Sequence, residues 1–133
     1  MTLRDLIEEN VSKYGEYPFL YFGDQTYTNV QVKQYAIQLN KALQSKGIQK
    51  GDRVLVCMPN CPEVIISYQG IVRSGAMVVP VMFLLHPQEI AYILENCEAK
   101  AVITSTQILP KIQEAVAKLE KKPLIYVVGQ ATE

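Results

Sequence analysis

From Arg53 to Val128 the chain alternates between short runs of apolar and β-branched residues and longer segments with helical spacing. The apolar runs are Arg53 to Met58, Met77 to Val81, Ala101 to Thr104 and Leu124 to Val128. Between them lie Glu63 to Ser74, Pro87 to Cys97 and Ile108 to Leu119. A strand that is apolar on both faces has to be covered on both, and parallel sheets achieve this by returning the chain along a helix. The alternation therefore predicts an α/β fold with a doubly wound, mostly parallel sheet in the order β-α-β-α-β-α-β, its crossovers right-handed.

Upstream, Thr2-Leu3-Arg4-Asp5 reads as a capping box opening a helix with Leu3, Leu6, Ile7, Val11 and Tyr14 at helical spacing, stopped by Gly15. Pro18 to Phe22 and Gln25 to Thr28, joined by Gly23-Asp24, predict a small hairpin. Thr28-Asn29-Val30-Gln31 is a second capping box. It leads a long helix whose stripe is Val32, Tyr35, Ala36, Leu39, Ala42 and Leu43, with Gly47 as the stop. No composition shift, linker or fixed-period repeat divides the 133 residues, so one domain over 1–133 is expected.

Composition excludes several classes. With 49% hydrophobic and 20% charged residues the chain is globular in character. Thirteen basic and thirteen acidic residues leave no positive field for a nucleic-acid backbone. The densest basic cluster, Lys118, Lys121 and Lys122 around Glu120, is expected to be a solvated helix end. The acidic start lacks a signal-peptide pattern, and the run Ala76 to Leu85 is broken by Pro80. It is about half the length a membrane helix needs, so a cytoplasmic location is expected. Cys57, Cys61 and Cys97 form neither a disulfide framework nor a C-x-x-C motif and are expected to be buried structural thiols.

Ligands of open α/β sheets bind beyond the carboxyl ends of the strands, which directs attention to the loops after Met58, Val81, Thr104 and Val128. Pro59-Asn60-Cys61-Pro62-Glu63 carries helix-start chemistry without the glycines of a phosphate cradle. Gly70 and Gly75 have P-loop spacing, but Ala76-Met77 stands where Lys-Ser/Thr would follow, and Gly75 is expected to end a helix. His86, the single histidine, has only Glu89 within a helical turn and is expected to cap the helix begun by Pro87. Ser105 lacks a Gly-x-Ser-x-Gly elbow and is expected to cap with Thr104 and Thr106. Glu8 and Glu9 are expected on a solvated helix face, and Asp52 in the turn Lys50-Gly51-Asp52-Arg53. No catalytic, cofactor-binding or metal-binding residue is assigned.

The stretches Gly47-Ile48-Gln49-Lys50-Gly51-Asp52-Arg53-Val54, Pro59-Asn60-Cys61-Pro62-Glu63, Gly70-Ile71-Val72-Arg73-Ser74-Gly75-Ala76, Val78-Val79-Pro80 and Pro87-Gln88-Glu89-Ile90 together carry a family likeness. In that order and spacing they resemble the amino-terminal region of adenylate-forming, AMP-binding enzymes, and most of all acyl-CoA synthetases acting on fatty or aryl acids. The upstream Tyr21-Phe22-Gly23-Asp24-Gln25-Thr26-Tyr27-Thr28 fits the family's early hairpin.

The resemblance implies a parent enzyme that uses ATP and Mg²⁺ to activate a carboxylate as an acyl-adenylate, then transfers the acyl group to CoA. It also implies that the phosphate loop ending in Pro-Lys-Gly, the acyl pocket and the mobile carboxy-terminal domain follow later. The chain is accordingly expected to be an amino-terminal subdomain, inactive alone, whose partner is the remainder of that enzyme. Where many relatives have Asn and then Pro-Leu-Tyr-Thr, this chain has Met82-Phe83-Leu84-Leu85-His86, so no polar contact is carried over there. The alternative is a free-standing flavodoxin-like binding or interaction module. Leu124 to Val128, as an apolar edge, gives a route to self-association.

Overall fold

Thr2 caps the first helix, α1 (Leu3–Tyr14), in a computed structural model that describes residues 2–128. Its hydroxyl accepts from the Asp5 amide at 3.1 Å while the Asp5 carboxylate accepts from the Thr2 amide at 2.9 Å. Two otherwise orphaned amides are satisfied by this exchange. Gly15, at φ 69°, turns the chain out of the helix.

Strands β1 (Pro18–Phe22) and β2 (Gln25–Thr28) pair antiparallel as the sequence predicts, with Gly23 at φ 60° in the turn. Thr28 then caps α2 (Asn29–Ser45) reciprocally with Gln31. Asn29 is buried and uses its whole amide. Its oxygen accepts from the Tyr17 amide at 2.9 Å, and its nitrogen donates to the Gly15 carbonyl and to Asn10 Oδ1. One side chain thereby ties the end of α1, the entry to the hairpin and the start of α2.

Helix α3 (Pro62–Arg73) packs on α2 through Gly70. A Cβ built at Gly70 would lie 2.7 Å from Leu39 Cδ2, so any side chain there would force Leu39 to shift or the two helices to spread. The solvated face expected for Glu8 is corrected by the structure. Its carboxylate accepts from Lys33 of α2 at 2.7 Å and from Arg73 of α3 at 2.8 Å, linking three helices. Partners 25 and 65 residues away leave no local signal in the sequence.

The chain divides into two compact units that it visits in turn. One comprises the chain up to Lys50 with Asn60–Ala76, and the other comprises Gly51–Pro59 with the chain from Met77 onward. The first holds α1, the hairpin, α2 and α3. The second holds β3 (Arg53–Cys57), β4 (Met77–Pro80), α4 (Pro87–Asn96), β5 (Ala101–Ser105), α5 (Leu109–Ala117) and β6 (Leu124–Val128).

The four strands of the second unit form a parallel sheet in the order β4-β3-β5-β6. Leu55, Cys57 and Val102 on one face pack with Ile90 and Leu94 of α4 and Ile112 and Val116 of α5. Each such side chain, removed from water, contributes roughly 1.5–3 kcal/mol. At the other end of that core, cations close the helices. Arg53 donates to the carbonyls of Cys97 and Glu98 past α4, and Lys122 donates to those of Val116 and Leu119 at α5. Lys122 is therefore a helix cap and not the wholly solvated group that the basic cluster suggests.

Candidate functional site

The strand register fixes where a ligand-facing edge of the sheet lies. Val56 pairs with Pro80, Cys57 with Thr104 and Ser105 with Val128, so the carboxyl ends of β3, β4, β5 and β6 are brought to one side of the second unit. This is the edge at which open α/β sheets bind ligands. Three connections leave it in sequence: the turn after Cys57, the loop Met82–His86, and the turn from Thr106 to Ile108.

The Met82–His86 loop is held at both ends. Lys111, in the first turn of α5, reaches back to donate to the Phe83 carbonyl at 2.6 Å. At the far end His86 is the N-cap of α4, as expected, and its amide donates to the Glu89 carboxylate at 3.0 Å. Between these ties the side chains separate by character. Phe83 and Leu85 pack against the core, whereas Met82 and Leu84 project at 65% and 67% exposure. Lys111 was not singled out from the sequence, because its carbonyl partner lies 28 residues away.

The expected capping by Thr104, Ser105 and Thr106 is not what the structure shows. The position before α5 is filled by Ile108, which has no side-chain cap, and α5 runs from Leu109 instead of Ile108. Thr104 is fully buried and donates to the Cys57 carbonyl at 2.7 Å. A hydroxyl beside a carbonyl on the neighbouring strand is satisfied there and is not available to a helix end. Ser105 Oγ is buried without a hydrogen-bond partner, so no base activates it.

The remaining candidates are scattered. Cys57 is buried, and burial pushes its thiol above the ordinary range against a smaller opposing pull from Lys111. Cys61 is the N-cap of α3, raised first by burial and then by the hydrogen bond its thiol donates to the Glu63 carboxylate. Cys97 is half-buried and also raised by burial, so none of the three is a ready thiolate. Gly75 sits at φ 82° just past α3, the role expected of it. Among the described residues no three His, Cys, Asp or Glu side chains converge as a metal site. What the strand ends provide, among the described residues, is a fixed loop with an apolar outer surface.

A family model for AMP-binding enzymes matches residues 7–133. The chain belongs to the AMP-binding enzyme family. Over 110 residues it is 32% identical to the long-chain-fatty-acid–CoA ligase of Bacillus subtilis, covering 83% of this chain and 20% of that protein. Over 88 residues it is 35% identical to the crotonobetaine/carnitine–CoA ligase of Escherichia fergusonii, 66% of this chain and 17% of the relative. Among solved structures it resembles an anthranilate CoA ligase in complex with anthranoyl-AMP, with a TM-score of 0.90 and 31% identity. That match covers 97% of this chain and 25% of the other. The AMP-binding chain thus spans about a fifth of the length of the curated relatives it matches, and both its curated and its structural relatives include CoA ligases. No helix among the described residues is long and apolar enough to cross a membrane.

Proposed function

We propose that this chain is the amino-terminal scaffold of an ATP-dependent acyl-CoA synthetase. The parent enzyme converts a carboxylic acid, ATP and CoA to acyl-CoA, AMP and pyrophosphate, and the chain alone does not adenylate. The observation that carries this reading is the family match from residue 7 onward, with CoA ligases as relatives of both sequence and structure. Support for inactivity comes from the strand-end edge: Ser105 has no base and the Glu89 carboxylate is engaged in capping. A long-chain acid is favoured over an aryl acid by the Bacillus subtilis relative. The work of such an enzyme is placed in the cytoplasm.

ATP and Mg²⁺ are required by that reaction, but the residues present do not fit them. Among the described residues there is no carboxylate cluster for the cation, and the loops after β3, β4 and β5 contain no glycine that would bring backbone amides onto a triphosphate. The groups that hold ATP, Mg²⁺ and CoA are therefore assigned to the remainder of the parent enzyme, which is the partner of this scaffold.

Carboxylate-dependent exchange of pyrophosphate into ATP tests the proposal. With palmitate and benzoate as probes the purified chain gives no exchange. The enzyme made from the gene's whole reading frame exchanges, with palmitate ahead by at least about tenfold in kcat/KM. Exchange by the chain alone would overturn the scaffold reading, and a preference for benzoate would overturn the substrate class. β6 forms one edge of the sheet, which supports self-association of the isolated chain. Sedimentation at rising concentration reads this directly, and a monomer throughout would dismiss it.

A further inference from the structure

Helix α1 is the least embedded helix of its unit. None of its residues is fully buried, and Leu3 and Leu6, on its apolar stripe, are 60% and 48% exposed. Between it and its neighbours lies an apolar groove of about 320 Å³, open to solvent and lined by Leu6 and Ile7 of α1, Phe19 of β1, and Tyr68 and Val72 of α3. Apolar lining atoms that face this groove instead of protein lack packing partners there, so the apolar seat of α1 is weak. By contrast α2 and α3 are in direct contact at Gly70 and Leu39.

Polar contacts hold α1 where packing does not. Asn10 donates to the Tyr17 hydroxyl at 2.8 Å and accepts from Asn29 at 3.0 Å. Glu8 is faced by Lys33 of α2 and Arg73 of α3, two cations on one carboxylate. The Arg73 side chain is only 6% exposed, and its Nε and Nη2 are buried without partners.

We propose that α1 is an ion-latched strap, which lifts from α2 and α3 as a unit while those two helices stay packed on each other. Glu8 is the latch. At 12 residues the helix has the length at which isolated helices are marginal in water, so lifting and unwinding register as one event. Opening widens this apolar groove and exposes more of Tyr68 and Val72. It is reached at a free energy well below that of global unfolding.

Amide hydrogen exchange of the full chain at neutral pH and low salt reads the strap. The amides of Val11 to Tyr14 exchange at least about tenfold faster than those of Ala36 to Leu43 in the middle of α2. Glu8→Gln widens that ratio by about another threefold to fivefold without changing the α2 rates, and adding about 1 M NaCl to the unaltered chain acts in the same direction. Equal rates in α1 and α2, or rates that move together in the variant and in salt, would overturn the strap. Should Glu8→Gln fail to fold, the salt series on the unaltered chain decides alone. This outcome is independent of catalysis: a failed exchange assay leaves it standing, and a failed strap leaves the enzyme reading standing.

Discussion

The core of the sheet unit and the seat of α1 fix their elements by different means. Leu55, Cys57 and Val102 are completely buried under α4 and α5, with cations used only to close the helix ends. Helix α1 buries no residue fully and is positioned by Glu8 and Asn10 instead. Apolar burial is non-directional and accumulates with area, whereas ion pairs and amide contacts fix geometry but contribute little net free energy each. The first kind of attachment resists salt and acid. The second responds to both.

Substitutions can break or sharpen that contrast. The largest effect is expected from Leu55→Ala in the sheet core, which should destabilise the chain by about 2–5 kcal/mol in a urea titration followed by tyrosine fluorescence. A loss below about 1 kcal/mol would mean that the core relaxes around the missing side chain and is not the dominant attachment.

Arg53→Met comes next. It removes donors to the carbonyls of Gly51, Cys97 and Glu98 while keeping an apolar stem, and should cost about 1.5–3 kcal/mol. Exchange rates should rise first in the last turn of α4, and uniform acceleration throughout the unit would argue against a local capping role.

The smallest effect belongs to the latch. Hydrogen bonds from Lys33 and then Arg73 hold the Glu8 carboxyl below its ordinary value of 4.5. A carboxyl depressed in the folded state contributes stability that is complete above the unfolded value and is lost as pH falls through the folded one. Because the Glu8 side chain is 43% exposed, the contribution is no more than about 1 kcal/mol. The stability difference between the unaltered chain and Glu8→Gln should therefore shrink in acid below about pH 4.5. A difference that holds constant from neutral pH down through this range would remove the ion pair from the account.

Features written locally were legible. Both capping boxes and the hairpin lie where Thr2, Thr28 and Gly23-Asp24 place them, since each is specified by residues within a few positions of one another. The strands were legible for a related reason, as runs apolar on both faces have few other places to go. Thr104 misled because its hydroxyl was assigned a local cap, and its real partner, the Cys57 carbonyl, lies 47 residues away across the sheet. Glu8, Lys111 and Arg53 share that property. Their partners are brought near only by the completed topology, so a solvated or unremarked charge was the reading that local pattern allowed. At the strand ends the loops were located correctly, but the inward turn of Phe83 and Leu85 beside the outward Met82 and Leu84 required the fold.

The close fit between Gly70 and Leu39 makes side-chain volume at those two positions a single shared quantity. Bulk carried on α2 leaves room for none on α3, so a sequence that enlarges position 70 must shrink position 39 or spread the helices. Two sites 31 positions apart in the chain are therefore coupled in volume, and a larger residue at one is best accommodated by a smaller residue at the other.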